Sequence, residues 1–397
     1  MRKYARVVII ITSWLISIAA SEVFLRTFIP LPDPYEALKT PCQCHYIPSQ
    51  FSPNFRLSLE AEEGLPGIPG KNVFTTNNMG FRGDNLASPK PQGEFRIFIV
   101  GGSTAECITV DDSQAINTAL QNELTRDIPA GITAKVYNAG KSGDRSDDHI
   151  AMIVHRLVHL EPDMIVVFAG FNDLSASINN ADYLHYRSNR DEKRLTARTV
   201  VMMLVTEFEL GRRVHNVIRS LTGKTDRQVF EEIPVKTNYR EKVKVRLSVP
   251  VSNETPRTDL PAYRRNLTTI EGVARAHGIR LIFMTQPSSW NSSIDPSIRN
   301  WHWITYRAGK TYSEDSMDAA LTLMNNIMLE VSTERGVPVL DLAKSIPKST
   351  EFFIDDVHFT AKGAQEIGTQ LASFIRGGRG FIAHDVKRQG NVNLSGS

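Results

Sequence analysis

Four short segments, far apart in the chain, hold groups that could act together on one carbonyl carbon. In chain order they are Gly101 to Thr104, Asn138 to Asp144, Gly170 to Asp173 and Asp355 to His358. They offer a serine hydroxyl, a backbone N–H, a side-chain amide, and a histidine ring with a carboxylate that can orient it. A nucleophile, a base and donors for a developing oxyanion are the parts that acyl transfer requires.

The first segment places Ser103 directly after an apolar run, Phe95 to Val100, and a pair of glycines. Glycines allow the tight turn that exposes a side chain at the carboxyl end of a strand, where sites form in α/β folds. We therefore predict Ser103 as the nucleophile. Taken alone, the segment could also cap a helix or bind phosphate, although it lacks the Gly-x-Ser-x-Gly elbow and the Lys-Ser/Thr ending of a P-loop.

The second and third segments follow two further predicted strands, so three strand ends should converge on one crevice. The backbone N–H of Gly143, the side-chain amide of Asn172 and the backbone N–H of Ser103 are predicted to form an oxyanion hole. Gly143 or Asn172 alone would more often be an ordinary turn residue. Their joint occurrence after buried strands favours the catalytic interpretation.

The fourth segment lies near the C-terminus and supplies the predicted base. Asp355 is three residues before His358. This spacing can return the carboxylate to Nδ1 of the ring and leave Nε2 free to accept the proton of Ser103. Asp356 could orient the ring of His358 in place of Asp355. We expect its side chain to point away from the ring, and a structural ion pair is its alternative role. An Asp-x-x-His match also arises by chance, so the prediction depends on all four segments together.

The elements around these segments have the pattern of a parallel α/β sheet, in which buried strands are continuous apolar runs separated by helices. The predicted strands are Phe95 to Val100, Lys135 to Tyr137, Met164 to Phe168, Ile279 to Thr285 and Val337 to Leu340. The predicted helices are Ser113 to Arg126, Ser146 to Leu160, Leu260 to His277, Glu314 to Arg335, and one that begins between Thr360 and Ala364. Right-handed crossovers between them predict a doubly wound, three-layer α/β domain.

The N-terminus has the layout of a Sec-type signal, with three basic residues before an apolar stretch from Val7 to Ala20. Two fates are open: cleavage just after this stretch, or retention as a membrane helix. We favour retention, because the run from Val7 to Leu25 has about 19 residues, close to the roughly 20 that a bilayer requires. The catalytic part would then be anchored to a membrane on its extracytoplasmic side, in the periplasm or at the cell surface.

These patterns divide the chain into an anchor, a spacer, a catalytic domain and a tail. Prolines between residues 30 and 55 favour an extended stalk, and residues 73–83 resemble a lead-in hairpin. We interpret residues 174–259 as an insertion with a possible amphipathic helix at 199–221 and a β-like stretch from Lys242 to Val251. A lid or substrate-binding role and a role as surface decoration are equally open. The predicted boundaries are 1–29 for the signal anchor, 30–92 for the stalk and hairpin, 93–380 for the catalytic domain with its insertion at about 175–258, and 381–397 for a disordered tail.

Composition excludes some classes of partner. The formal net charge of +3 is too mild to indicate a nucleic-acid partner, and no basic run is interleaved with aromatic residues. The three cysteines, Cys42, Cys44 and Cys107, lack a second pair or a histidine cluster that would indicate a metal site. A disulfide from the first two to Cys107 stays open. We expect no metal and no other cofactor.

Together, the four segments resemble the four sequence blocks of the SGNH hydrolases, also called the GDSL esterase/lipase family, in that family's order. The resemblance covers about Phe95 to about Ile375, and Asn77 to Gly83 is similar to a lead-in motif of membrane-anchored members. The first block reads Gly-Gly-Ser-Thr where the commonest version is Gly-Asp-Ser-Leu. The resemblance implies a flavodoxin-like α/β/α sandwich and metal-independent ester hydrolysis. The implied roles are Ser103 as nucleophile and oxyanion donor, Gly143 and Asn172 as the other donors, and His358 as base oriented by Asp355.

The sequence therefore predicts a serine esterase that hydrolyses carboxylic ester bonds of a small molecule or a glycan through an acyl-enzyme. Two alternatives stay open. The protein could be an O-acyltransferase or O-acetyl esterase of an envelope polysaccharide, or a catalytically silent carbohydrate-binding module. Trp290, Trp301 and Trp303 could stack on sugar rings or pack in the core. Acyl length, alcohol identity and oligomeric state are not predicted.

Overall fold

The computed structural model describes residues 2–29, 50–68, 70–126, 128–179, 208–211, 213, 235–291 and 293–378. The chain divides into two compact units, which are residues 1–38 with 183–233, and residues 39–182 with 234–397. The predicted stalk up to residue 49, most of the predicted helix at 199–221 and the predicted tail at 381–397 lie outside the described residues, as do Cys42 and Cys44.

The first unit contains helix α1, Arg2–Phe28, whose large apolar side chains, among them Trp14, are exposed. Glu22 within this helix is buried and accepts hydrogen bonds from the backbone N–H groups of Glu209 and Leu210, at 2.9 and 3.0 Å. Within the part of the chain that the structure describes, no helix combines the length and the apolar character needed to cross a membrane. The predicted membrane-spanning segment is thus not supported.

The second unit is built on a five-stranded parallel sheet with the order β11-β8-β5-β3-β4. The strands of this unit are β1 (Arg56–Glu60), β2 (Lys71–Thr75), β3 (Glu94–Gly101), β4 (Thr133–Asn138), β5 (Met164–Phe168), β6 (Val235–Lys236), β7 (Val251–Ser252), β8 (Arg280–Met284), β9 (Tyr306–Arg307), β10 (Lys310–Tyr312) and β11 (Val339–Leu340). Every residue of β3 and β5 is buried. Continuous apolar runs form these strands because helices cover both faces of the sheet.

Those helices form the two outer layers of the unit. They are α2 (Ser103–Glu106), α3 (Ile116–Arg126), α4 (Ser146–His155), α5 (Phe171–Ile178), α6 (Tyr239–Leu247), α7 (Leu260–Ala276), α8 (Pro296–Arg299), α9 (Glu314–Arg335), α10 (Leu342–Ser345) and α11 (Ala361–Gly377). One face of the sheet packs its apolar side chains against α4, α7 and α9. The other face packs against α3 and α11. The predicted three-layer α/β class with a parallel sheet is confirmed.

The predicted elements that build this sandwich agree with the observed ones to within a few residues. Two predicted helices are shorter than expected because part of each forms a 3₁₀ turn. Asp112–Gln114 forms such a turn before α3, and Leu157–Leu160 forms one after α4. Leu157 in the second turn is buried like the core-facing residues of α4, whereas the first turn buries none of its side chains.

The prediction of a β-like stretch from Lys242 to Val251 is wrong, because most of it belongs to helix α6. Apolar and basic residues alternate here, which suggested a strand. In the structure the buried side chains are Tyr239, Val243 and Arg246, which share one helical face, while Val245 is exposed. The carboxylate of Glu62 accepts hydrogen bonds from the first backbone N–H groups of the helix, which stabilises its N-terminus.

The lead-in hairpin exists, but its strands differ from those predicted. β1 pairs antiparallel with β2, and β6 pairs parallel with β1 on its other side. Asn77 to Gly83, predicted as part of the hairpin, instead forms a tight turn in which the side chain of Asn77 accepts from the N–H groups of Met79 and Phe81. The hairpin therefore starts at Arg56, directly after the predicted stalk and before the predicted hairpin residues.

This turn ends at Arg82, a buried arginine that holds the loop after α2 in place. Its guanidinium donates to the backbone carbonyls of Glu106, Cys107 and Val110, and it forms a 2.7 Å salt bridge with Asp112. Its backbone also pairs with Asn138 at the end of β4. One side chain thus connects the lead-in segment, the loop after α2 and the edge of the sheet, and three of its donors bind buried backbone carbonyls of that loop.

Replacing Arg82 with methionine should therefore destabilise the protein strongly. The change removes one donor from each of three buried carbonyls and the salt bridge from Asp112, and we expect a loss of roughly 3 kcal/mol or more in the free energy of unfolding. Chemical denaturation followed by circular dichroism measures it. Arg56→Met is the matched control, because Arg56 is exposed on β1; it should change the free energy by less than about 0.5 kcal/mol. Equal losses in the two variants would contradict this account.

Candidate active site

The structure brings Ser103, His358 and Asp355 into one hydrogen-bonded series. Ser103 is the first residue of α2, directly after β3, and its Oγ lies 2.9 Å from Nε2 of His358. Nδ1 of the same ring lies 2.8 Å from Oδ2 of Asp355. With a proton on Nδ1, the ring donates to Asp355 and its Nε2 accepts a hydrogen bond from the Ser103 hydroxyl. This is the arrangement in which histidine can remove the hydroxyl proton.

Asp355 is fully buried, yet four donors keep it ionised. Besides the histidine ring, the backbone N–H groups of Val357 and His358 donate to Oδ1 at 3.0 and 2.8 Å, and the indole N–H of Trp303 donates to Oδ2 at 2.9 Å. Burial alone would raise the pKa of Asp355, but the histidine and the backbone donors lower the pKa to about 2. The carboxylate therefore stays charged and fixes the orientation of the ring.

The charge on Asp355 in turn acts on His358. Burial lowers the pKa of the ring, whereas Asp355 raises it, by its charge and by its hydrogen bond. Asp356 also raises the pKa of His358, and Lys242 lowers it. Together these effects raise the pKa of His358 above that of an ordinary histidine. The ring therefore keeps its positive charge to a higher pH, and it can accept a proton only when the pH exceeds this raised pKa.

Asp356 points away from the ring, as expected, but it forms no ion pair among the described residues. Its carboxylate accepts hydrogen bonds from the indole N–H of Trp290, at 2.8 Å, and from the backbone N–H groups of Trp303 and Ile304, at 2.7 and 2.9 Å. Trp303 therefore donates to both aspartates. Trp290 is fully buried and belongs to the core, so of its two predicted roles the structure shows packing.

Two backbone N–H groups face the space beside Ser103. Gly143 lies in a turn closed by a hydrogen bond from Asp144 N–H to the Lys141 carbonyl, and its φ of +85° is one that residues with a side chain rarely adopt. Within the described residues, the N–H groups of Gly143 and of Ser103 donate no hydrogen bond to the protein. Both residues line the same pocket, so these donors remain available to a bound oxygen atom.

Asn172 supplies a third donor on this side of the pocket. Its Nδ2 donates one hydrogen to the carbonyl of Asp144 at 2.7 Å, which leaves the other for a ligand. The amide packs so closely against Gly102 that a Cβ at this glycine would lie 2.3 Å from Nδ2. Only glycine at position 102 permits this approach without a shift of the amide.

The next residue locks the second and third segments together. Asp173 is fully buried and accepts hydrogen bonds from the backbone N–H and the hydroxyl of Ser146, the first residue of α4. Asn266 on α7 donates to the same hydroxyl at 2.9 Å. The loop that contains Gly143 and the helix that contains Asn172 are therefore fixed relative to one another by a buried network.

A pocket of about 330 Å³ opens over these groups. It is within the usual size range of small-molecule sites. Ser103, Gly143, Asn172 and His358 line one part of it. The remaining wall includes residues to which the sequence analysis assigned no catalytic-site role: Phe171, Tyr239, Lys242, Trp303, Ile304 and Arg307. No local pattern marks them, because the lead-in hairpin and α6, distant in sequence, position several of them.

The described part of the chain contains one cysteine, and neither it nor any possible metal ligand there adds chemistry to the site. Cys107 carries a free, buried thiol, and burial raises its pKa to about 12. The disulfide left open for it therefore does not form in this structure. Among the described residues, no cluster of histidine, cysteine, aspartate or glutamate has a geometry that could hold a metal ion.

With fold and geometry in place, comparison with known proteins defines the class. The sequence model of the GDSL-like lipase/acylhydrolase family matches residues 99–366, which is more than half of the chain. The chain belongs to this family and is an ester-hydrolysing enzyme. The matched range contains Ser103, Gly143, Asn172, Asp355 and His358. No curated protein matches the chain.

Several solved structures are similar to this chain at low identity. A lipase/acylhydrolase from Enterococcus faecalis is 16% identical, with 71% of this chain and 96% of that chain covered and a TM-score of 0.38. An acetylxylan esterase from Geobacillus stearothermophilus is 12% identical, with 72% and 96% covered and a TM-score of 0.38. An α/β hydrolase from the metagenome of Lake Arreo is 13% identical, with 70% and 94% covered and a TM-score of 0.39. Likeness at this level says nothing about substrate.

The raised pKa of His358 can be measured directly. In histidine-labelled protein, the ring should titrate with a midpoint above the ordinary value of about 6.5. Asp355→Asn should lower this midpoint, because burial would remain while the charge that raises the pKa is removed. NMR of the ring resonances, assigned with His358→Gln, provides the measurement. Asp295→Asn, a change at an exposed helix cap, should leave the midpoint unchanged. A wild-type midpoint at or below about 6.5 would contradict the interpretation.

Proposed function

We propose that the enzyme cleaves carboxylic esters through an acyl-enzyme on Ser103, with His358 as general base and Asp355 as the residue that orients it. The observation that carries the proposal is the 2.9 Å contact between Ser103 Oγ and His358 Nε2 at the floor of the pocket. A buried, ionised Asp355 behind the ring supports it, because a positioned carboxylate stabilises the imidazolium that forms during attack.

In the first half of the reaction, Oγ of Ser103 attacks the ester carbonyl carbon while Nε2 of His358 takes the hydroxyl proton. The carbonyl oxygen becomes an oxyanion, and the N–H groups of Ser103 and Gly143 and the amide of Asn172 are the donors within the pocket that can stabilise it. The bond to the alcohol then breaks, and His358 returns its proton to the leaving oxygen. The products of this half are the free alcohol and the acyl-enzyme.

In the second half, a water molecule takes the place of the alcohol. His358 removes one proton from the water as its oxygen attacks the acyl carbon, the same three donors hold the second oxyanion, and the proton is returned to Ser103 as the carboxylic acid leaves. Each step uses groups that already face the pocket. The raised pKa of His358 favours its role as proton donor to the leaving group once it has been protonated.

Ser103→Ala should remove nearly all turnover of p-nitrophenyl acetate, by on the order of 10⁴-fold or more, without unfolding the protein. Steady-state kinetics and a thermal melt measure both effects on the full chain. A fluorophosphonate probe should label Ser103 in the wild type and leave the variant unlabelled.

Ser345→Ala is the matched control, since this serine lies at the exposed end of α10; it should keep wild-type turnover and labelling. Unchanged turnover in Ser103→Ala, with the protein folded, would refute the proposal. Labelling at another serine would point to a different nucleophile.

We also infer that the catalytic part acts outside the cytoplasm. The support is the order of the N-terminal sequence, in which Arg2, Lys3 and Arg6 precede an apolar stretch. The helix that this stretch forms also exposes large apolar side chains, such as Ile10 and Leu15, that a purely structural helix in water would cover. An export signal accounts for both features, whether it is cleaved afterwards or retained as an anchor.

Export is tested by fusing alkaline phosphatase to the C-terminus of the full chain in a Gram-negative host. We expect active phosphatase, because this enzyme folds only after export, and Ile10→Arg with Leu15→Arg should abolish the activity. The control places arginine at two exposed apolar positions of α6, Val245 and Leu247, and should retain the phosphatase activity. Active green fluorescent protein in the same fusion position, with inactive phosphatase, would refute export. Fractionation and the length of the product distinguish a cleaved signal from a retained anchor.

A further inference from the structure

The pocket over Ser103 carries two positive side chains on the wall formed by α6 and β9. Lys242 lies on α6, Arg307 lies on β9, and both line the same pocket as Ser103 and His358. None of the described residues that line this pocket is acidic. The binding surface beside the predicted nucleophile therefore has a positive charge of two, or three when His358 is protonated.

Trp303 holds the two cations close to one another. The ammonium of Lys242 lies 4.0 Å from the centre of the indole ring, and the guanidinium carbon of Arg307 lies 5.4 Å from it. Trp303 itself is fixed by two hydrogen bonds, from its indole N–H to Asp355 and from its backbone N–H to Asp356. The attraction of each cation to the face of the ring is weak where water still has access. It stabilises the cation less than an ion pair with a carboxylate would.

Neither cation has a carboxylate partner among the described residues. Arg307 uses Nε to donate to the hydroxyl of Ser175, at 3.1 Å, and one terminal nitrogen to donate to the carbonyl of Tyr306, at 2.8 Å. Its second terminal nitrogen and the ammonium of Lys242 donate to no other described group. Both side chains are only half-buried, so these donors are open to a ligand in the pocket.

The nearby aspartates do not account for the two cations. Asp355 and Asp356 are fully buried, and N–H donors from the histidine ring, the indoles and the backbone already satisfy them. Burial lowers the pKa of Lys242, and the charge of Arg307 lowers it further, although Asp355 raises it. Burial lowers the pKa of Arg307, although the charges of Asp356 and Asp355 raise it. Neither aspartate forms an ion pair with the two cations, which repel one another, and an anion in contact with both would offset this repulsion.

We propose that the substrate is an anionic ester, in which a carboxylate or phosphate group close to the scissile bond binds Lys242 and Arg307. The inference rests on the proposed function of Ser103 and adds a substrate class to it. Arginine and lysine bind such oxyanions through charge-assisted hydrogen bonds, and in a partly buried pocket these select for the charged ligand over a neutral one of the same shape. The charged group can belong to the acyl part or to the alcohol part of the ester.

Two pairs of matched esters test the proposal on the full chain. For the acyl side, p-nitrophenyl hydrogen glutarate is compared with p-nitrophenyl pentanoate, and for the alcohol side, p-acetoxybenzoate is compared with p-acetoxybenzamide. Spontaneous hydrolysis is subtracted. In at least one pair, the wild type should prefer the anionic ester by about tenfold or more in kcat/KM. The pair that shows the preference identifies the part of the substrate that carries the charge.

Lys242→Gln and Arg307→Gln should each reduce this anionic-to-neutral preference by about fivefold or more. The ratio is the useful readout, because any effect of the substitution on His358 acts on both esters of a pair and cancels. Lys244→Gln is the matched control. This lysine lies two residues further along the same helix, is exposed and pairs with Glu241, so its loss should leave the ratio unchanged. Thermal melts confirm that each variant is folded.

The outcomes separate this inference from the proposed function. If the wild type hydrolyses all four esters and Ser103 is labelled, but neither anionic ester is preferred, the inference fails and the serine mechanism stands. A preference that survives both glutamine variants also overturns it, because the charge would then be recognised elsewhere. If no ester is hydrolysed and Ser103 is not labelled, the proposed function itself fails, and the substrate class with it.

Discussion

The register between β3 and its two neighbours is the constraint on which the site depends. Gly101, the last residue of β3, is paired with Phe168, the last residue of β5, and β4 runs parallel on the other side. Because all three strands are parallel and end at the same edge, the loops after them must share one crevice. Ser103 and Asn172 are neighbours for this reason, although 69 positions separate them in the numbering of the chain. A slip of one residue in β3, whose residues are all buried, would exchange its side chains between the two faces of the sheet and disrupt the packing on both.

The same crevice is held in shape by buried charges, each of which is matched by several donors or acceptors. Arg82 organises the loop after α2, Asp173 joins two strand-end loops, and Asp355 and Asp356 fix Trp303. Burying an ion is unfavourable unless its hydrogen bonds are complete, so these networks tolerate few alternative arrangements. The benefit to the pocket is rigidity: the Ser103 hydroxyl, the His358 ring and the Asn172 amide are held in place by the protein itself.

Sequence patterns predicted the sheet well and located four polar segments whose residues the structure brings to one pocket, because both depend on local signals: continuous apolar runs for the strands and short polar motifs at their ends. They failed where distant contacts decide the structure. Alternating residues around Lys242 indicated a strand, yet Glu62, far away in sequence, caps them as a helix. The basic wall of the pocket was missed for the same reason, since Lys242 and Arg307 meet only through Trp303. The membrane-spanning segment was not supported.

The first block of this chain departs from the family's commonest version at two positions, Gly102 and Thr104, and the structure shows what the first of them permits. Where the commonest block has aspartate, Gly102 leaves room for the amide of Asn172 to lie against the backbone. One version of the block therefore cannot replace the other in this chain without a shift of the Asn172 amide. Grafting the aspartate into this chain would displace the amide donor, and an exchange of blocks between members would succeed only if the neighbouring strand-end loop were transplanted with it.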